Sequence, residues 1–216
     1  MKRLFSLIVL IFLSMSVFAQ DRYYEQRVSQ FDSLPVHANS LVFLGDGLTN
    51  GCEWHEVFCN RHIKNRGITG DRSSWIVNRL DTIVGGRPKK IFLMVGINDL
   101  RHGVAPREIV SNISKLLKRF EKESPWTRIF VQSLLPTNPE GATPTDKELD
   151  LKSLIDETNR LLEAECAERR NILYIDVHSA LADEEGLLDK RLTNDGLHLN
   201  GAGYMAWKVV IEKHVK

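Results

Sequence analysis

Of the residues able to do chemistry, His198 stands out because Asp195 precedes it by three positions in Asp195-Gly196-Leu197-His198. A carboxylate in the same short loop can orient an imidazole and stabilise its protonated form. That is what a general base in acyl transfer needs. Three other short segments place polar or small residues directly after apolar runs. They are Phe43-Leu44-Gly45-Asp46-Gly47-Leu48-Thr49-Asn50-Gly51, Asn65-Arg66-Gly67-Ile68-Thr69-Gly70-Asp71 and Gly96-Ile97-Asn98-Asp99. Hydrolysis of an ester requires a nucleophile, a base for its proton and donors for the oxyanion. Taken singly, each segment has a plainer explanation. Asp-Gly is ordinary turn chemistry, and Asn98-Asp99 could be a simple turn after a strand.

The elements that would position these loops alternate in type. Five short β-rich apolar runs, Ser40–Leu44, His62–Asn65, Lys90–Val95, Arg128–Leu134 and Asn171–Val177, read as strands. The third, Ile91-Phe92-Leu93-Met94-Val95, is continuously apolar, as a central parallel strand covered on both faces should be. Helical patterns fall at Glu53–Cys59, Ser73–Ile83, Pro106–Glu123, Asp146–Arg169 and Gly201–His214. The helix opening at Pro106 keeps Ile109, Ile113, Leu116, Leu117 and Phe120 at helical spacing. Strands alternating with helices predict a three-layer α/β/α sandwich on a five-stranded parallel sheet of flavodoxin-like order. Ligands of such sheets bind beyond the carboxyl ends of the strands, where the four segments would sit. Asp21–Leu34 reads as an additional N-terminal helix, and Pro136–Thr145 as the longest irregular segment.

These four blocks, in this order and over nearly the whole chain after residue 19, resemble the signature blocks of the SGNH/GDSL hydrolases: GDS(L), a glycine, GxND and DxxH. Tyr24–Arg27, Gly51–Trp54 and Ser133–Thr137 are similar to secreted bacterial carbohydrate and platelet-activating-factor-type acetylesterases. The resemblance implies a Ser-His-Asp mechanism on O-acyl, above all O-acetyl, esters of carbohydrates or small molecules. It makes His198 the base and Asp195 its orienting acid. The oxyanion donors become the backbone N–H of residue 47, the backbone N–H of Gly70 and the side-chain amide of Asn98. A glycine at position 70 lets the backbone approach a reacting carbonyl with no Cβ in the way. Asp46 and Asp99 are expected to brace loops rather than to react.

The chain departs from that pattern at one position. Where the family has serine, it reads Gly45-Asp46-Gly47. Glycine keeps its N–H as an oxyanion donor but has no oxygen to attack with. The expected consequence is severe impairment of acyl-enzyme formation, with slow attack by a His198-activated water as the remaining route. Thr49 lies two residues on, but a strand-to-helix turn should point it elsewhere. Two other readings follow. The chain could be a non-catalytic module that binds acylated glycans, or a thioesterase or lysophospholipase, which would want a longer apolar acyl channel. The Gly45-x-Gly47-x-x-x-Gly51 spacing also resembles a degraded dinucleotide fingerprint, one residue off the usual pattern.

Composition bounds the rest. Lys2 and Arg3 precede an apolar run from Leu4 to Phe18, and Val17-Phe18-Ala19 suits signal-peptidase cleavage, so residues 1–19 read as a signal peptide and 20–216 as one domain. Export to the periplasm or outside is expected. Removing Lys2 and Arg3 leaves 27 of the 29 basic residues against 28 acidic ones, a charge of −1. That balance offers no electrostatic reason to expect nucleic acid or stable membrane association. Cys52, Cys59 and Cys166 form no disulfide framework, and no cysteine pair has metal-site spacing. No histidine has a convincing ligand partner, so no metal or cofactor is implied. Trp54, Trp75, Trp126 and Trp207 are all expected in the core, and Trp54 is the one that follows a catalytic loop closely enough to line the cleft instead.

Overall fold

The computed structural model describes residues 22–139 and 146–216, so the segment expected to be a signal peptide and residues 140–145 of the irregular stretch lie outside the described residues. The described chain divides into two compact units, residues 22–35 and Val36–Lys216. The first is a helix, α1, over residues 22–32, with the Arg27 guanidinium 4.5 Å above the Phe31 ring.

The second unit is built on five parallel strands: β1 Leu41–Gly45, β2 Ile63–Gly67, β3 Lys90–Met94, β4 Arg128–Gln132 and β5 Ile172–Ile175. Their order is β2-β1-β3-β4-β5, the flavodoxin-like arrangement. In-register pairing of Phe43 with Phe92 and of Phe92 with Phe130 stacks three rings across one face, at centroid separations of 4.7 and 4.8 Å. Trp54 stacks on Phe43 at 4.5 Å, and Trp207 meets Trp54 edge-on at 4.9 Å. This face is thereby covered by α3 (Trp54–Val57) and α10 (Gly201–Val215). Contiguous aromatic burial of this kind anchors the centre of the sheet. A second helical layer comprises α4 (Ser73–Asn78), α5 (Asp81–Gly85), α7 (Pro106–Glu123) and α8 (Asp146–Cys166), in which α7 packs against the other three. The apolar stripe of α7 from Ile109 to Phe120 is buried as its spacing requires.

Several boundaries differ from the sequence expectation. The expected helix Ser73–Ile83 is two helices, α4 and α5. The break falls where Arg79 turns its guanidinium into the interior, donating to Asp71, to the Gly45 carbonyl (3.2 Å) and to the Arg66 carbonyl (2.9 Å). β3, β4 and β5 end earlier than the apolar runs do, with Val95, Ser133, Leu134 and Val177 buried outside any strand, whereas β1 and β2 run on to Gly45 and Gly67. Four short elements had no sequence expectation: α2 (Gly47–Asn50), α6 (Ile97–Arg101), α9 (His178–Leu181) and a 3-10 turn at Lys190–Leu192. Each is too short for hydrophobic periodicity to register. Trp54 and Trp207 lie in the core as expected, and Trp126 does not. Trp54 is fully buried, donating from Nε1 to the Thr49 carbonyl at 2.8 Å, and does not line a cleft. Trp126 is 90 % exposed rather than in the core. Cys52 and Cys166 are buried free thiols, and Cys59 is an exposed one. Among the described residues, no helix is long and apolar enough to cross a membrane.

Candidate active site

The order β2-β1-β3 places a topological switch beside β1. Chains leaving the carboxyl ends of β1 and β3 depart to opposite sides there and leave a crevice between them. Gly47 follows β1, Gly70 follows β2, and Asn98 follows β3.

Asp46 opens α2 as its N-cap, with extended backbone and Oδ1 accepting from the Leu48 N–H at 3.0 Å. Its carboxyl is fully buried and Oδ2 has no partner. Burial pushes its pKa up to about 7, and the nearby Asp71 and Asp99 charges add to that effect. Gly47 starts the helix. A Cβ built on it would lie 3.5 Å from the Thr69 Cα, 3.6 Å from its Cγ2 and 3.7 Å from its Oγ1, all ordinary contacts. A side chain at position 47 therefore meets no steric bar. Thr49, by contrast, is buried and its Oγ1 lies against Gly45, so its hydroxyl is turned to the strand end, as the turn argument anticipates.

The second loop is held from below by an ion pair. Arg79 donates to Asp71 Oδ2 from Nε (2.9 Å) and Nη2 (2.6 Å), with both side chains buried. Burial raises the Asp71 pKa and the guanidinium opposes it; a two-pronged contact at this distance keeps the carboxylate charged. Because Arg79 also grips the Gly45 and Arg66 carbonyls, one side chain ties the ends of β1 and β2 to the loop that carries Gly70. Gly70 itself has φ +81°, a conformation costly for any residue with a Cβ. In the third loop, Asn98 is half-buried and donates from Nδ2 to the Asp71 carbonyl at 3.0 Å, which spends one of its two amide hydrogens. Asp99 is a brace, accepting from the Ser73 N–H (2.9 Å) and hydroxyl (2.7 Å).

Asp195 and His198 form a second close polar pair, as short as that of Arg79 and Asp71. Nδ1 of the imidazole lies 2.6 Å from Asp195 Oδ2, and Oδ1 accepts from the N–H groups of Leu197 (3.0 Å) and His198 (2.7 Å). The histidine bond, aided by these amides, holds the Asp195 carboxyl well below the usual carboxylate range. Nδ1 is thereby committed to the acid and Nε2 is the ring atom left for chemistry. Both residues are exposed. Thr193 Oγ1 shapes the loop by donating to the His198 carbonyl (2.7 Å) and accepting from the Gly196 N–H (2.9 Å). Gly196 has φ +77°, and a Cβ there would stand 1.7 Å from the Asn138 carbonyl, so the position requires glycine. The Asn138 N–H bonds the Gly196 carbonyl (2.8 Å), pinning this loop to the segment after β4. Six residues past His198, the Tyr204 hydroxyl donates to the Leu48 carbonyl at 3.0 Å and ties α10 to α2.

The geometry thus links 47, 69, 71 and 98 in one chain of contacts and 195–198 in another, with Tyr204 bridging from α10 to the first loop. Sequence reasoning passed over Arg79, Asn138, Thr193 and Tyr204. An arginine inside an amphipathic helix and an asparagine in a polar loop carry no pattern of their own. Elsewhere, Glu53, His55 and Glu56 bring ligand atoms within 4.8 Å of one another, but all three are exposed.

Residues 37–206 match the GDSL-like lipase/acylhydrolase family. This chain belongs to that family. The human platelet-activating factor acetylhydrolase IB subunit alpha1 is 28% identical over 170 residues, covering 76% of this chain and 70% of the relative. A structure from Streptococcus pneumonia, described as a platelet activating factor, shares 25% identity at a TM-score of 0.84, covering 98% of this chain and 99% of the other. An acetylxylan esterase from Geobacillus stearothermophilus shares the fold at 16% identity and a TM-score of 0.62, covering 83% and 95%. The fold and family expected from the four blocks are thereby established, and the chain is an esterase-type hydrolase by resemblance to other GDSL proteins.

Proposed function

We propose that this GDSL-family chain is an exported esterase scaffold for O-acyl, chiefly O-acetyl, esters of carbohydrates or small molecules, chemically impaired at a single atom. The observation that carries the reading is the preformed Asp195–His198 pair, with Nδ1 held at 2.6 Å and Nε2 left available. In this reading the Gly47 and Gly70 N–H groups and the second amide hydrogen of Asn98 serve as oxyanion donors. In a serine-bearing form, Nε2 takes the hydroxyl proton, the oxygen attacks the acyl carbon, and the alcohol leaves with that proton. Water then releases the acid from the acyl-enzyme by the same base. With Gly47, a water must attack the ester directly, passing its proton through His198 to the departing alcohol. The acetylated classes acted on by the relatives, a platelet-activating factor and acetylxylan, support acetyl as the acyl group.

The test is Gly47→Ser, whose Cβ would make only ordinary contacts with Thr69. Hydrolysis of p-nitrophenyl acetate should rise by about 10³-fold or more, in line with the losses seen when a nucleophilic serine is removed. A folded serine variant no faster than the parent chain would refute the assignment. The second reading, a binding module for acylated glycans, is favoured by Gly47 itself, since a glycine keeps the oxyanion pocket while abolishing turnover. It predicts measurable affinity of the parent chain for acetylated xylo-oligosaccharide, lost on deacetylation, alongside little gain from serine.

A further inference from the structure

At the amino ends of the strands, opposite the catalytic loops, Trp126 stands 90 % exposed between two grooves. Their volumes are about 660 and 620 Å³, within the range of clefts that hold small ligands. Five exposed cations line them: Arg128 and Arg170 in one, Arg87, Lys89 and Lys122 in the other. The two carboxylates of the same surface are engaged elsewhere, Glu121 with Arg169 at 2.8 Å and Glu123 with Arg119 at 3.2 Å. The near-zero charge of the whole chain conceals this local excess.

The turn that presents the indole is built rather than loose. Thr127 Oγ1 donates to the Pro88 carbonyl at 2.6 Å and lies 2.7 Å from the Ser124 hydroxyl, while Asn171 Nδ2 donates to the Pro125 carbonyl at 2.7 Å. Arg87 is held at φ +47°, a left-handed backbone unusual for a residue with a side chain. Strain of this kind persists where the surroundings fix it, and it gathers at binding sites. A braced, solvent-facing tryptophan is costly to leave bare, since indole is among the largest apolar surfaces a chain can bury.

We propose that this surface binds an acidic polysaccharide strand, the apolar face of one sugar ring lying on Trp126 and carboxylates of neighbouring rings paired with Arg87, Lys89, Lys122, Arg128 and Arg170. A linear polymer fits two grooves that meet at one ring, and anionic sugar units suit exposed cations that form no ion pair among the described residues. A flat bilayer would meet the indole tip but could not fill the grooves on either side of it. The site stands at the end of the sheet away from the catalytic loops, so it is independent of the esterase reading and would hold the protein on a polymer while the other end meets substrate.

The four tryptophans make the test direct. Trp54 and Trp207 are fully buried and Trp75 is half-buried, so quenching of the emission by acrylamide reports chiefly on Trp126. Sodium polygalacturonate should shield the emission from acrylamide and retard the protein in affinity electrophoresis, whereas neutral dextran should do neither. Retardation should weaken roughly tenfold or more in Trp126→Ala, a loss of about 1.4 kcal/mol. It should be retained largely in Trp126→Phe and vanish in the triple variant Arg87→Glu/Lys122→Glu/Arg170→Glu. Unchanged melting temperatures in these exposed-residue variants separate loss of binding from loss of fold. Absence of shielding by polygalacturonate, or retardation indifferent to Trp126→Ala, would overturn the proposal. So would tighter binding to phosphatidylglycerol vesicles or to single-stranded DNA than to the polyuronate.

Discussion

The two halves of the candidate active site differ in what they retain. The first loop, Asp46 to Gly51, is mostly buried and fastened from several directions: by the Asp46 cap, by Arg79 on the Gly45 carbonyl and by Tyr204 on the Leu48 carbonyl. The proposed mechanism needs a hydroxyl at position 47 of this loop, where the chain has glycine. The loop of Asp195 and His198 is exposed, yet every atom of its chemistry is in place at hydrogen-bond distance. On the proposed esterase reading, the deficit at position 47 is chemical and not architectural. Nothing around Gly47 has closed in to fill the space of a side chain.

If that contrast is right, perturbing the Asp195–His198 half should cost most once a nucleophile has been restored at position 47. In the Gly47→Ser background, Asp195→Asn should lower kcat for p-nitrophenyl acetate by about 10⁴-fold, because the imidazole loses the partner that fixes its tautomer. In the parent chain, where water attacks with help from the same imidazole, the change should lower the much slower hydrolysis by a smaller factor. Equal losses in both backgrounds would break the distinction. Asn98→Ala in the repaired background should cost about 10²–10³-fold in kcat, as removal of one oxyanion donor does. A rise in KM with unchanged kcat would instead assign Asn98 to ground-state binding.

The smallest effect sharpens the claim about the first loop. Asp46 has a folded pKa of about 7 against an ordinary 3.8, so the folded state holds a proton there that the unfolded chain gives up. Its contribution to stability is therefore greatest in acid and is lost as pH rises from about 4 towards 7. Asp46→Asn keeps an acceptor for the Leu48 N–H and carries no charge. Its melting temperature should exceed that of the parent chain at pH 8, by about 2–4 °C for each kcal/mol recovered, and the gap should close below pH 5. A gap that does not depend on pH would mean that Asp46 is ionised in the folded protein throughout.

Much of this was legible in the chain because it depends on local pattern. Ile91–Val95 reads as a central strand because every side chain is apolar, and α7 is given by Pro106 and the stripe from Ile109 to Phe120. Likewise, Asp195 and His198 lie so close in sequence that one short loop must join them. What escaped were features set by contacts between distant segments. The break at Arg79 depends on Asp71 and two strand-end carbonyls, and the requirement for glycine at 196 depends on Asn138, 58 positions earlier. Trp126 shows the opposite failure. A tryptophan next to a strand is ordinarily buried, and only the turn from Ser124 to Thr127 turns it to solvent.

The most direct measurement is the site of acylation in the repaired enzyme. Gly47→Ser should be quenched in acid during turnover of p-nitrophenyl acetate, digested, and its peptides examined by mass spectrometry. The account predicts one acetyl group on the peptide containing residue 47, absent when His198→Ala is added. An acetyl group on any other peptide, or its persistence at residue 47 without the imidazole, would contradict the assignment.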